Sequence, residues 1–190
     1  MAASKSQVRI IAGRWRGRKL PVVDAVGLRP TPDRIRETLF NWLAADCRDA
    51  RVLDCCAGSG VLGLEAVSRG AASLVAIEQN AAAARELETT VERLGGDSVQ
   101  VIRGDALAVL ERLEGPFDIV FIDPPYAKPE LRQQLFERLQ AQHLLAEGAC
   151  IYFEWPDAES LELPSETLTF RRQKSAGQVN YAVAEWQRSG

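Results

Sequence analysis

The residues in this 190-residue chain best suited to chemistry are carboxylates placed where apolar runs end. The run FDIVFI stops at Asp123-Pro124-Pro125-Tyr126. Two prolines make a stiff turn with few N–H donors, which leaves its carbonyls to face a ligand. An exocyclic amine on a nucleic-acid base is a partner that needs such a turn. It is a poor nucleophile, because its lone pair is delocalised into the ring. The Asp123 carboxylate and the Pro124 carbonyl accept its two N–H bonds and favour the positive charge that develops during attack. Tyr126 supplies a ring on which a base turned out of its helix can stack. Read only as a strand-ending turn, these four residues would not need to lie two strands after another strand-ending acid, Glu78.

A second constellation precedes the first. Asp54-Cys55-Cys56-Ala57-Gly58-Ser59-Gly60 closes the strand ARVLD and opens a helix. Its glycines let the backbone turn sharply beside a ligand. Glu78, followed by Gln79, ends the next strand, about twenty residues on, where an acid accepts bonds from ribose hydroxyls. Asp105, followed by Ala106, ends the third strand and is placed to reach an adenine amino group. Gly58 to Gly63 formally match the GxGxxG of dinucleotide enzymes, a weak signal alone. Asp54 argues against that reading. A carboxylate there repels a pyrophosphate but suits the ammonium of S-adenosylmethionine. The expected cofactor set is Asp54, Ala57, Gly58, Ser59, Gly60, Glu78, Gln79, Asp105, Ala106 and Asp123. A single in-line displacement of a methyl group needs no covalent enzyme intermediate, and no Ser/His or Cys/His pair is evident to form one.

The elements that must position these residues alternate. Strands are expected at 50–54, 73–78, 98–103, 117–123 and 148–155. Helices are expected after Gly60, after an Asn80 cap, from Ala106 to Leu113, and over 129–140. Another helix should start at Thr31-Pro32-Asp33, with Thr31 as its cap. A hairpin, TLTFRRQK and NYAVAEW around SAGQ, closes the chain. Alternating apolar strands and helices imply a doubly wound, mostly parallel α/β sheet with ligands outside its carboxyl edge.

Composition excludes little and charge distribution adds a partner. The chain is 46% hydrophobic and 26% charged, with four cysteines, one histidine and a net charge of −3. No cysteine pair has metal-ligand spacing, so no metal is expected. No apolar run is long enough for a membrane helix, no leader peptide is recognisable, and a cytoplasmic monomer is expected. Cys55 and Cys56 read as core filler, and His143 as the end of a helix. Residues 1–36 hold nine basic side chains against two acidic ones, which leaves ten net negative charges for the rest. A basic arm over residues 1–30 on an acidic domain over 31–190 suits a polyanion. Its expected RNA contacts are Arg9, Arg14, Trp15, Arg16, Arg18, Lys19, Arg29 and Arg34, with Trp15 stacking on a base. Turn signals at Gly13, Gly17, Pro21 and Gly27 make the arm a hairpin.

The segments RIIAGRWRGRKLPV, GLRPTPDRIRETLFNWL, DCCAGSGVLGLEAVSRGA, FIDPPY and AGQVNY together resemble the bacterial 16S ribosomal RNA guanine-N2 methyltransferase family, RsmD. The resemblance runs from about Arg9 to Tyr181. It implies a Rossmann-like methyltransferase fold with seven strands, the last antiparallel. It implies methylation of one guanine of 16S rRNA at N2, in the assembled or assembling small subunit. Asp54, Gly58 and Gly60 match the family's cofactor loop, Glu78 its ribose acid, and Asp123 to Tyr126 its catalytic motif. Cys56 stands where relatives usually carry Phe, and a local packing change is expected. Two rival readings remain: an adenine-N6 methyltransferase, which can use the same DPPY motif, and an RNA-binding assembly factor without catalysis. A guanine offers an N1–H donor beside N2, which the second oxygen of Asp123 can accept. An adenine offers a lone pair at N1 instead.

Overall fold

The computed structural model describes residues 6–23, 31–159 and 166–188. A two-stranded ribbon opens it, with β1 (Gln7–Arg9) antiparallel to β2 (Lys19–Pro21). Then come α1 (Asp33–Trp42), β3 (Arg51–Asp54), α2 (Val61–Ser68), β4 (Ser73–Glu78), α3 (Ala81–Leu94), β5 (Val99–Arg103) and α4 (Ala106–Leu110). The chain ends with β6 (Phe117–Ile122), α5 (Glu130–Ala141), β7 (Leu145–Pro156), β8 (Leu168–Ala176) and β9 (Val179–Trp186). Seven strands form one sheet in the order β5-β4-β3-β6-β7-β9-β8. β3 to β7 pair in parallel, and β9 is antiparallel to both neighbours.

Side-chain alternation divides the core between the two faces of this sheet. Val52, Ala76, Ile119, Phe121 and Tyr152 face one way, toward α1, α2 and α3. Leu53, Ile77, Val120, Ile122 and Phe153 face the other, toward α4 and α5. The strands therefore read as continuous apolar runs, because both faces are covered. Phe121 and Phe153 are fully buried, so truncating either to Ala costs about 3–5 kcal/mol.

Local signals place several elements. The Asn80 side chain accepts from the N–H groups of Ala82 and Ala83 and so fixes the start of α3, which Gly95 ends in the left-handed conformation. Three expectations need correction. Pro32, not Thr31, occupies the cap position of α1, without a side-chain cap; Thr31 is buried, and its carbonyl accepts from Arg36 Nε. α4 ends at Leu110, before Leu113, since the chain must turn ahead of Gly115-Pro116 to enter β6. β7 starts at Leu145, earlier than Gly148, with a register irregularity near Phe117. His143 follows α5 at φ 55 and is exposed, away from the carboxyl edge.

Candidate active site

The carboxyl edge of β3, β4, β5, β6 and β7 opens on a cleft of about 880 Å³. Its β3–β5 half is built on the turn after β3. Ala57 N–H donates to the Ile77 carbonyl, and Gly60 N–H to the Ala57 carbonyl at 2.7 Å. Gly60 adopts φ 74, and a Cβ there would come within 2.4 Å of Leu87 Cδ1. Gly60 thus shapes the turn and its packing and is not among the residues lining the cleft. Asp54, Ala57, Gly58, Ser59, Glu78, Gln79, Asp105 and Ala106 all line it.

Three acids serve this half in different ways. Glu78 is buried; its Oε2 accepts Gly58 N–H at 2.7 Å and its Oε1 accepts Asn80 N–H at 2.6 Å. It therefore ties the glycine turn to the end of β4 while keeping lone pairs for hydroxyl donors. Asp105 caps α4 through one oxygen, which accepts Ala108 N–H at 3.1 Å. Asp54 is 2% exposed. Burial pushes its carboxyl up to about 7, backbone N–H bonds from Gly63 and Cys56 oppose the shift, and Glu78 adds to it. A buried acid so reluctant to ionise fits a ligand that brings a cation, which the ammonium of S-adenosylmethionine does. Cys55 is buried in the core, as expected, and Cys56 is half-buried; both border the cleft, and burial raises both thiols and makes them poor nucleophiles.

Across the cleft stands the half built on β6 and β7. Asp123, Pro124, Pro125 and Tyr126 follow β6 and line the same space. Burial raises the Asp123 carboxyl well above its ordinary range; Glu154 and then Asp54 push it the same way, and Arg132 opposes them. Tyr126 is 40% exposed, and its hydroxyl donates to Glu154 Oε1 at 2.6 Å, which holds the ring at the mouth. The β8–β9 turn, Ala176 to Val179, and Pro21 to Val23 at the end of the ribbon also line the cleft.

A family model described as Conserved hypothetical protein 95 matches residues 8–185. The ribosomal RNA small subunit methyltransferase D of Escherichia coli is 43% identical over 188 residues, covering 99% of this chain and 94% of that protein. The chain belongs to the RsmD family. The solved structure of Escherichia coli yhhF is 41% identical and superimposes with a TM-score of 0.88, covering 96% of this chain and 99% of that one. An RNA methyltransferase from Salinibacter ruber, solved with S-adenosyl-L-homocysteine, shares the fold at 16% identity and a TM-score of 0.66, covering 85% of this chain and 95% of that one.

In this RsmD chain the basic segment is joined to the domain core. Ile10, Trp15 and Leu20 lie in the same cluster as α1 and α2. The buried Glu65 carboxylate accepts Ile11 and Ala12 N–H at 2.7 and 2.9 Å and pairs with Arg36 and Arg69. Gly13, at φ 81, passes so close to Ser68 that a Cβ would meet its carbonyl oxygen at 1.7 Å. Trp15 is 6% exposed with the Arg14 guanidinium 4.2 Å from its ring centre, so its expected stacking on a base is corrected to a packing role. Arg9, Arg14, Arg16, Arg18, Lys19 and Arg34 are exposed, and no carboxylate among the described residues pairs with them. Arg29 lies outside the described residues. Sequence reasoning missed Glu154 and the β8–β9 turn. Glu154 carried a usable signal: like Asp54, Glu78 and Asp123, it is an acid near the carboxyl end of an apolar strand.

Proposed function

We propose that this protein uses S-adenosylmethionine to methylate the N2 amine of a guanine in the 16S rRNA of the small ribosomal subunit. The observation that carries the reading is the convergence of two half-sites on one cleft. Asp54 and Glu78 border one side, and Asp123 with Pro124 borders the other. When bound, S-adenosylmethionine supplies an electrophilic methyl group. Asp54 holds the cofactor's ammonium, and Glu78, already positioned by two backbone donors, accepts its ribose hydroxyls. Asp123 and the Pro124 carbonyl accept the N–H bonds of the amine and orient its lone pair. The raised basicity of Asp123 suits it to take the proton that the methylated amine releases. Tyr126 supports the base face. Exposed Arg9, Arg16, Arg18, Lys19 and Arg34 supply phosphate contacts, and Arg29 belongs to the same proposed set. Family membership supports ribosomal RNA as the substrate, since the Escherichia coli relative is named for its small-subunit RNA. Acting on ribosomal RNA, the protein would work in the cytoplasm; no helix among the described residues is long and apolar enough to cross a membrane.

The test uses labelled S-adenosylmethionine and small subunits that lack the modification. The RNA is digested and the labelled nucleoside identified. N2-methylguanosine is expected. N6-methyladenosine would overturn the guanine assignment, and an absence of label in active-subunit controls would overturn the enzymatic reading.

A further inference from the structure

We infer that Glu154 is a specificity-determining residue: it accepts the N1–H of the guanine whose N2 amine lies against Asp123 and Pro124. This rests on the guanine-N2 reading above. β6 and β7 run in parallel with Ile122 beside Phe153. The next residues, Asp123 and Glu154, therefore sit side by side at the carboxyl edge, and both line the cleft. The sheet order puts β7 on the opposite side of β6 from β3, β4 and β5. Glu154 is thus on the substrate side, away from Glu78 and Asp105.

Its setting calls for a ligand donor. Glu154 is 6% exposed. The Tyr126 hydroxyl donates to Oε1 at 2.6 Å and the Tyr152 hydroxyl to Oε2 at 2.9 Å. Among the described residues no cation pairs with it. Each oxygen retains acceptor capacity in a buried corner that holds a second carboxylate, an arrangement that is costly until a donor reaches it. The two hydroxyls also hold the carboxylate plane in place before any base arrives.

The donor pattern of the base decides which ligand fits. Guanine presents three N–H bonds along one edge, two on N2 and one on N1. The corner presents three acceptors: Asp123, the Pro124 carbonyl and Glu154. Adenine presents two N–H bonds on N6 and a lone pair at N1, which would face Glu154 acceptor to acceptor. The N1–H assigned from sequence to the second oxygen of Asp123 passes to Glu154, and Asp123 is left to the reacting amine.

The comparison of guanine with 2-aminopurine probes this interaction, because 2-aminopurine keeps the N2 amine but has a lone pair at N1; it also lacks O6, so the Glu154→Gln variant separates the N1 contribution from that of O6. The methylated nucleotide is first located by mass spectrometry of subunits treated with the parent protein. Small subunits are then reconstituted with guanine or 2-aminopurine at that nucleotide and methylated under single-turnover conditions. The parent should prefer guanine by about 10²-fold. Glu154→Gln can turn its amide N–H toward an N1 lone pair, so the preference should shrink at least about tenfold. A parent that methylates both bases equally fast overturns the assignment, and so does a Gln variant that keeps the full preference. Equal rates in the parent overturn the assignment even where Glu154→Gln does not fold. A first product other than N2-methylguanosine would overturn the functional reading itself; N2-methylguanosine without discrimination at N1 would overturn only the role of Glu154.

Discussion

Asp54→Asn should strengthen the empty protein and weaken its hold on the methyl donor. The Asp54 carboxyl titrates at about 7 in the fold, against roughly 3.9 in an unfolded chain. Its folded pKa is raised, so the acid's contribution to stability is fully present below about pH 4. That contribution is lost as pH rises toward 7, and at pH 8 the parent carries the whole penalty. Three pKa units correspond to about 4 kcal/mol. An Asn avoids the charge but accepts less well from the Gly63 and Cys56 N–H groups, at about 1 kcal/mol each. The net gain at pH 8 is about 2 kcal/mol, or roughly 4–8 °C in Tm for a chain of this size. Below pH 4 the gain disappears. Binding moves the other way: without the carboxylate, S-adenosylmethionine should bind about ten- to a hundredfold more weakly. The parent's own affinity should fall about tenfold from pH 8 to pH 6, as Asp54 takes up a proton, while the variant's stays flat. Thermal unfolding across pH and calorimetric titration measure both arms. A variant less stable than the parent at pH 8 would show that the buried charge is no burden, and unchanged affinity would remove Asp54 from the ammonium site.

Three further outcomes follow from the same geometry. Glu78→Ala should weaken S-adenosylmethionine by roughly ten- to a hundredfold in calorimetry, because the ribose hydroxyls lose their acceptor and the Gly58 turn loosens; parental affinity would place the ribose elsewhere. Asp123→Ala should lower single-turnover methylation at least about 10²-fold while cofactor affinity changes far less; a parental rate would reduce the motif to a turn. Arg16→Ala with Arg18→Ala should flatten the salt dependence of RNA binding by about 0.7–0.9 in log–log slope for each phosphate no longer neutralised, and an unchanged slope would turn these side chains away from the RNA.

The parts of the fold legible in the sequence were those set by local rules. β4 ends at Glu78 and α3 starts after Asn80, as their residues dictate, because a buried parallel strand is a continuous apolar run and a cap is a neighbour effect. The positions of Asp54 and Glu78 at the carboxyl edge were legible for the same reason: each terminates such a run. Thr31 failed as a cap because tertiary burial claimed its side chain, and propensity yields to packing. Glu154 escaped notice because GACIYFEWP runs past its acid to Trp155 and Pro156. Only the β6–β7 register reveals that it lies beside Asp123.

The basic segment shows why charge patterning misses architecture. Clustered arginines at the start of the chain look like a loose arm, since nothing nearby in sequence neutralises or buries them. Much of what holds the segment comes instead from α2, more than fifty positions away. Glu65 takes two of its N–H groups, Ser68 Oγ accepts Trp15 N–H at 2.9 Å, and the same hydroxyl donates to the Ala12 carbonyl at 2.6 Å. α2 is also the helix that Gly60 opens at the end of the glycine turn after β3. One buried helix therefore carries the glycine turn at its start and an anchor of the basic ribbon along its length. Exposed Arg16 and Arg18 are thereby attached to the element that sets the Asp54 loop, and a polyanion bound to them would meet the cleft on a fixed frame.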